Sequence, residues 1–80
     1  MAALTELQMR MLTFESSWWR FPGAKDREIL DTFQMPPTRY YQLLNELIDR
    51  PEAARFEPAL VARLRRRRAV RGILRAVVRE

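Results

Sequence analysis

Thr38, Arg39, Tyr41, Gln42 and Asn45 fall within one short stretch and carry the groups that can read the edge of a base pair. A guanidinium bonds bidentately to guanine, the carboxamides of Gln and Asn to adenine, and a Thr methyl can touch the thymine methyl. Further along, Arg63, Arg65, Arg66, Arg67, Arg68, Arg71 and Arg75 crowd one segment. At 1.5 Å per helical residue those cations span roughly 18 Å. Nearby acids are too few to pair with them all, so the segment suits phosphate contact, and five or six such contacts imply a log–log salt slope near about −5. Read without function, the first set is the polar outer face of a helical hairpin. The second is then a solvated face, or one neutralised by the acidic N-terminal part.

Other chemistry is poorly served. The chain has no cysteine and no histidine, which removes disulfides, thiolate and imidazole metal ligands and the commonest general base. Glu15, Asp26, Glu28 and Asp31 are expected to support helix ends or to pair with Arg20 and Arg27, not to catalyse. The expectation is no enzyme, no metal, no cofactor and no small-molecule substrate. Eighty residues allow one small domain, near the lower limit for a self-sufficient core. Almost half the residues are apolar, so the chain is no disordered basic tail. No apolar run approaches a membrane span, and MAALTELQMR lacks the basic-then-apolar order of a signal peptide. A cytoplasmic, nucleoid-associated location is expected.

Charge is divided along the chain. Residues 1–57 hold seven Arg/Lys against nine Asp/Glu, a formal −2, whereas residues 58–80 hold eight Arg against Glu80, a formal +7. Such asymmetry points to a polyanion partner. Fourteen of the fifteen basic residues are arginine, a bias that GC-rich coding alone can also produce.

The elements that would position these groups are helical. Thr5 and Gln8 have capping-box spacing, which starts a helix near residue 6. Leu7, Met11, Phe14 and Trp18 recur at helical intervals and predict one apolar face as far as Trp19. Trp18 is expected in the core and Trp19 under the turn at Pro22. A second helix is read over 24–33, with Ile29, Leu30 and Phe33 as its apolar side. After a turn at 34–36, Pro37 suits the first position of a third helix running to about Asp49. Its buried stripe would be Tyr40, Leu43, Leu44, Leu47 and Ile48, with the Tyr41 hydroxyl placed to reach a phosphate. Residues 52–56 read as a loop with one helical turn, and Phe56 is placed to staple against Val61.

From Pro58 a basic helix is expected to extend almost to the end. Its apolar residues form two sets, Leu60/Val61/Leu64 and Val70/Ile73/Leu74/Val77/Val78. About 100° per residue rotates the stripe by some 240° between Leu64 and Val70. Either the helix bends near Gly72, or Val70, Ile73, Leu74, Val77 and Val78 face another molecule, as in a homodimer.

The words FESSWWRFPGAKDREI, TRYYQLLNELIDRPEA and PALVARLRRRR resemble a family of small helix-turn-helix proteins of unknown function from actinobacteria and their phages. The likeness covers roughly residues 12–70. It implies an all-helical fold and DNA binding, without a target or mechanism. Two departures stand out: Pro36 occupies the position of a Ser-like cap, and GILRAVVRE is half apolar where the family tail is polar and basic. The combined expectation is an all-α protein, one domain over 1–80, with a three-helix helix-turn-helix core (6–57) and a basic C-terminal helix (58–79). Double-stranded DNA is the expected partner and transcription regulation the expected role. The alternatives are a protein-interaction module using the apolar tail, and RNA binding through the arginines.

Overall fold

The computed structural model describes residues 3–17 and 22–78, with side chains described for 3–17 and 23–70. Among the described residues the chain is all-α, with five helices and no strand: α1 (Glu6–Ser17), α2 (Pro22–Phe33), α3 (Pro37–Leu47), α4 (Pro51–Phe56) and α5 (Pro58–Val78). The places expected for Trp18, Trp19 and Arg20 lie outside the described residues.

Local sequence starts each helix. The Thr5 backbone N–H donates to Gln8 Oε1 (2.8 Å) and the Gln8 N–H to Thr5 Oγ1 (3.1 Å), a reciprocal capping box opening α1. Proline stands at the first positions of α3 and α4, where its missing N–H leaves no bond unmade. Pro36 precedes α3 without any side-chain cap, so fixed proline dihedrals begin that helix unaided. The end of α2 is made by Gln34, the one described non-glycine residue with positive φ (54°). Its N–H donates to the Leu30 carbonyl at 2.9 Å, forming the left-handed cap that usually takes glycine. The chain thus turns sharply from α2 into α3 within 34–36.

α4 packs on α5, α2 on α3, and α1 touches both α4 and α5. Between them lies a core of Met11, Leu12, Ile29, Tyr40, Leu44, Leu47, Ile48, Ala53, Leu60 and Val61. The expected stripe of α3 is present, with Leu43 only partly buried. Three expectations need correction. Leu7 and Leu30, read as core, are exposed, at 37 and 52 %. The inward face of α1 is centred on Met11, Leu12 and Glu15, so the Leu7 edge turns outward. The stretch read as a loop with one helical turn is helical throughout, a six-residue helix in which Ala53 is fully buried. Phe56, expected to staple, is 44 % exposed.

Glu15 is the one buried charged residue among those described, and it pairs with Lys25 rather than with Arg27, while Arg20 lies outside the described residues. Lys25 Nζ donates to its Oε1 at 2.7 Å, and the Tyr40 hydroxyl donates to its Oε2 at 2.6 Å. One carboxylate therefore ties α1 to both α2 and α3. Around it, the rings of Phe14, Phe33 and Tyr40 stand 5.2–5.9 Å apart in edge and tilted contacts that favour aromatic pairs. Arg10 lies over Phe33 at 5.3 Å and donates to the Thr32 carbonyl, closing the outer side.

Burial, then the Glu15 charge and the bond to it, push the Tyr40 hydroxyl well above the ordinary phenol range. A pKa raised in the folded state stabilises fully below the unfolded value, near about 10, and that contribution is lost as pH rises. Stability is therefore expected to fall above about pH 10, by up to about 1.4 kcal/mol per pH unit for this one proton. Urea titrations of wild type and Tyr40→Phe at pH 9 and 11 check this. The variant should show a shallower decline, and equal declines would remove Tyr40 as the cause.

Candidate nucleic-acid interface

The buried side chains of α3 fix which way the rest of that helix points. Tyr40, Leu44, Leu47 and Ile48 are all at or below 6 % exposure. At about 100° per residue the opposite side is centred near Gln42 and exposed Glu46, with Thr38 and Asn45 to one side of that centre, Arg39 to the other, and Asp49 continuing it past the last turn. Thr38, Arg39, Gln42 and Asn45 are exposed, and Tyr41 is partly buried. Arg39 and Tyr41 flank this polar row on opposite sides. The Tyr41 hydroxyl donates to Asp26 Oδ1 at 3.4 Å, and its ring lies 5.5 Å from Lys25 Nζ. Tyr41 thus leans towards α2, away from the row centre.

The arginines divide into two groups. Arg65 Nε donates to the Ile48 carbonyl at 2.6 Å. Arg68 donates through Nη2 and Nη1 to the two Asp49 carboxylate oxygens, at 2.7 and 3.2 Å, and through Nη1 to the Asn45 carbonyl at 3.3 Å. These two side chains cap the carbonyl end of α3, where helix ends leave acceptors unmatched and favour positive charge. The bond from Arg68 also holds the Asp49 carboxyl below the usual carboxylate range. Arg63, Arg66 and Arg67 are exposed, and among the described residues none has an acidic partner. By register Arg66 and Arg63 lie on the side of α5 turned away from Val61 and Leu64, whereas Arg67, seven residues past Leu60, sits about 20° from the Leu60 direction. The side chains of Arg71 and Arg75 lie outside the described residues.

The arrangement answers how the two expected surfaces relate. The arginine segment meets α3 at its C-terminal end, with Arg68 contacting Asn45 itself. The row on α3 and the basic helix are therefore neighbours, joined at Asn45 and Asp49. Sequence reasoning missed the inward pairing of Arg65 and Arg68. Asp49, three to four residues past the polar positions of α3, was the signal that an anion awaited a cation.

Of the second apolar set on α5, Val70 is described and is 54 % exposed. Ile73, Leu74, Val77 and Val78 fall where side chains lie outside the described residues, although α5 remains helical through Val78. The helix is not interrupted at Gly72, where a bend was one of the two alternatives. Among the described residues no helix is long and apolar enough to cross a membrane. Elsewhere, a shallow groove of about 380 Å³ between α1 and the end of α2 is lined by Met9, Phe14 and Phe33, with Glu6 and Arg10 at its rim.

A family profile described as "Protein of unknown function (DUF3263)" matches residues 3–76. No curated protein matches the chain. No solved structure matches it.

Proposed function

The chain belongs to this family of unknown function, and we propose that it is a helix-turn-helix DNA-binding protein, a transcription regulator acting in the cytoplasm at the nucleoid. The single observation that carries the reading is the junction at Asn45. There the exposed polar row of α3 meets a helix bearing Arg63, Arg66 and Arg67 unpaired among the described residues. α2 and α3 are helices of 12 and 11 residues separated by a three-residue turn, the size and spacing of the motif that places its second helix in the major groove. Thr38, Arg39, Tyr41, Gln42 and Asn45 then lie along that helix, and the arginines of α5 hold the sugar-phosphate backbone.

Binding, not catalysis, is favoured by where the reactive groups stand. Glu15, Lys25 and Tyr40 come nearest to an acid–base cluster, yet they are bonded to one another within the helix packing.

Anisotropy titration of the protein with a labelled duplex, across a range of salt, tests the reading. With Arg65 and Arg68 turned inward, three or four phosphate contacts give an expected log–log slope of about −3 to −4, shallower than the sequence implied. Absence of a complex at low ionic strength would overturn it. Two copies pairing through the far end of α5 would present two such helices to successive grooves, and the exposure of Val70 supports that extension. Sedimentation should then give twice the chain mass, and a monomer would remove the pairing.

A protein-interaction module is the second reading, favoured by the apolar groove at Met9, Phe14 and Phe33. Its discriminating result is a protein that ignores nucleic acid at every salt concentration.

A further inference from the structure

We infer that Arg68 and Arg65, where α5 meets the end of α3, form a subsite for one backbone phosphodiester, and that Asp49 occupies it as an internal competitor. The inference rests on the duplex-binding reading above and adds to it one contact and the residue that restrains it. Three observations lead to it.

The first is the chemistry of the pair. Arg68 meets Asp49 fork to fork, donating through Nη2 to Oδ1 at 2.7 Å and through Nη1 to Oδ2 at 3.2 Å. A guanidinium grips two phosphate oxygens in the same parallel geometry. The carboxylate therefore marks the place where a phosphodiester would sit.

The second is an excess of donors. The bond from Arg68, then the charges of Arg68 and Arg65, hold the Asp49 carboxyl below its usual range, so two guanidinium groups act on one carboxylate. A guanidinium carries five N–H donors. Arg65 uses Nε on the Ile48 carbonyl, and its Nη groups make no hydrogen bond among the described residues. The carbonyl end of α3 holds both side chains through Arg65 Nε and Arg68 Nη1, so they stay in place when the carboxylate is removed.

The third is access. The Arg68 and Asp49 side chains are 40 and 61 % exposed, and an ion pair so open to water is weakly held. Asp49 continues the exposed side of α3, and exposed Arg67 is the neighbour of Arg68 on α5. A strand that touches both helices thus meets the pair between them.

The experiment is anisotropy titration of whole-chain variants with two labelled duplexes of unrelated sequence, from about 0.05 to 0.3 M salt. Asp49→Asn keeps the side-chain shape, removes the charge, and stands at a helix C-terminus, where Asn is tolerated. It should tighten both duplexes about eightfold at 0.1 M salt and steepen the log–log slope by about 0.9, the value of one added phosphate contact. Asp49→Ser, a second variant without the charge, should do the same, and both should melt within a few degrees of wild type. Adding Arg68→Gln to Asp49→Asn should return the slope to that of wild type. Glu46→Gln removes a like charge from α3 but releases no arginine, and should leave the slope within about 0.3 of wild type. An unchanged slope for both Asp49 variants would overturn the subsite while leaving duplex binding intact. So would a gain that survives Arg68→Gln, one matched by Glu46→Gln, or one confined to a single duplex, since a phosphate contact reads no sequence. Failure of every protein, the Asp49 variants included, to bind duplex would overturn the duplex reading itself.

Discussion

Replacing Glu15 with alanine is expected to lower the melting temperature by on the order of 20 °C. The carboxylate is 3 % exposed, and it is the shared acceptor for Lys25 Nζ, itself 12 % exposed, and for the buried Tyr40 hydroxyl. Removing it leaves a largely buried ammonium and a buried hydroxyl without their acceptor, and breaking a buried pair from one side costs about 3–5 kcal/mol. A chain of this size has about 4–12 kcal/mol in total, so the loss is a large fraction. For a domain of this length each kcal/mol moves the melting point by about 4–8 °C. The double variant Glu15→Leu with Lys25→Met should recover much of the loss, because it removes the charge together with its partner. Calorimetry on the three proteins decides the matter. A melt within a few degrees of wild type for Glu15→Ala would mean that water or a rearranged side chain replaces the carboxylate. No such change is expected from Gln42→Ala, which touches none of these contacts.

The second large effect concerns affinity. Changing Arg63, Arg66 and Arg67 together to glutamine is expected to weaken binding to every duplex by on the order of several hundred-fold at 0.1 M salt, and to reduce the salt slope by about 2.7. All three are exposed without an acidic partner among the described residues, so the fold should survive the change. Any sequence preference should survive as well, because phosphate contacts position the protein without reading sequence. A matched change of Arg65 and Arg68 should behave differently. It removes the donors to Ile48, Asn45 and Asp49, so the end of α3 loosens and the melting point falls along with affinity. Should the exposed triple variant bind as well as wild type, α5 would not be the phosphate-holding element.

Much of this architecture is legible from short-range signals. Thr5 with Gln8 and the prolines at 37 and 58 mark helix starts because a cap or a fixed φ acts within one turn, whereas Pro51, which also starts a helix, reads as a break in the chain. The stripe of Tyr40, Leu44, Leu47 and Ile48 is readable because α3 has one buried side and one exposed side. The failures mostly involve partners distant in sequence. Glu15 looks like a surface residue until Tyr40, twenty-five positions away, supplies its bond. Leu7 and Leu12 are equally apolar, and only the placement of α4 and α5 against α1 decides which one turns inward. Gln34 adopts a glycine-like conformation that nothing in its own chemistry announces. Arg65 and Arg68 are indistinguishable in composition from Arg66 and Arg67, and only rotation around α5 sends one pair inward and the other outward.

One guanidinium, that of Arg68, grasps both a main-chain oxygen at Asn45 and a carboxylate at Asp49. Two anchor points on a planar fork resist twisting as well as sliding. These contacts couple the C-terminal end of α3 to α5, while the body of α3 packs against α2. A push on the long helix would therefore reach the short one only through its final turn.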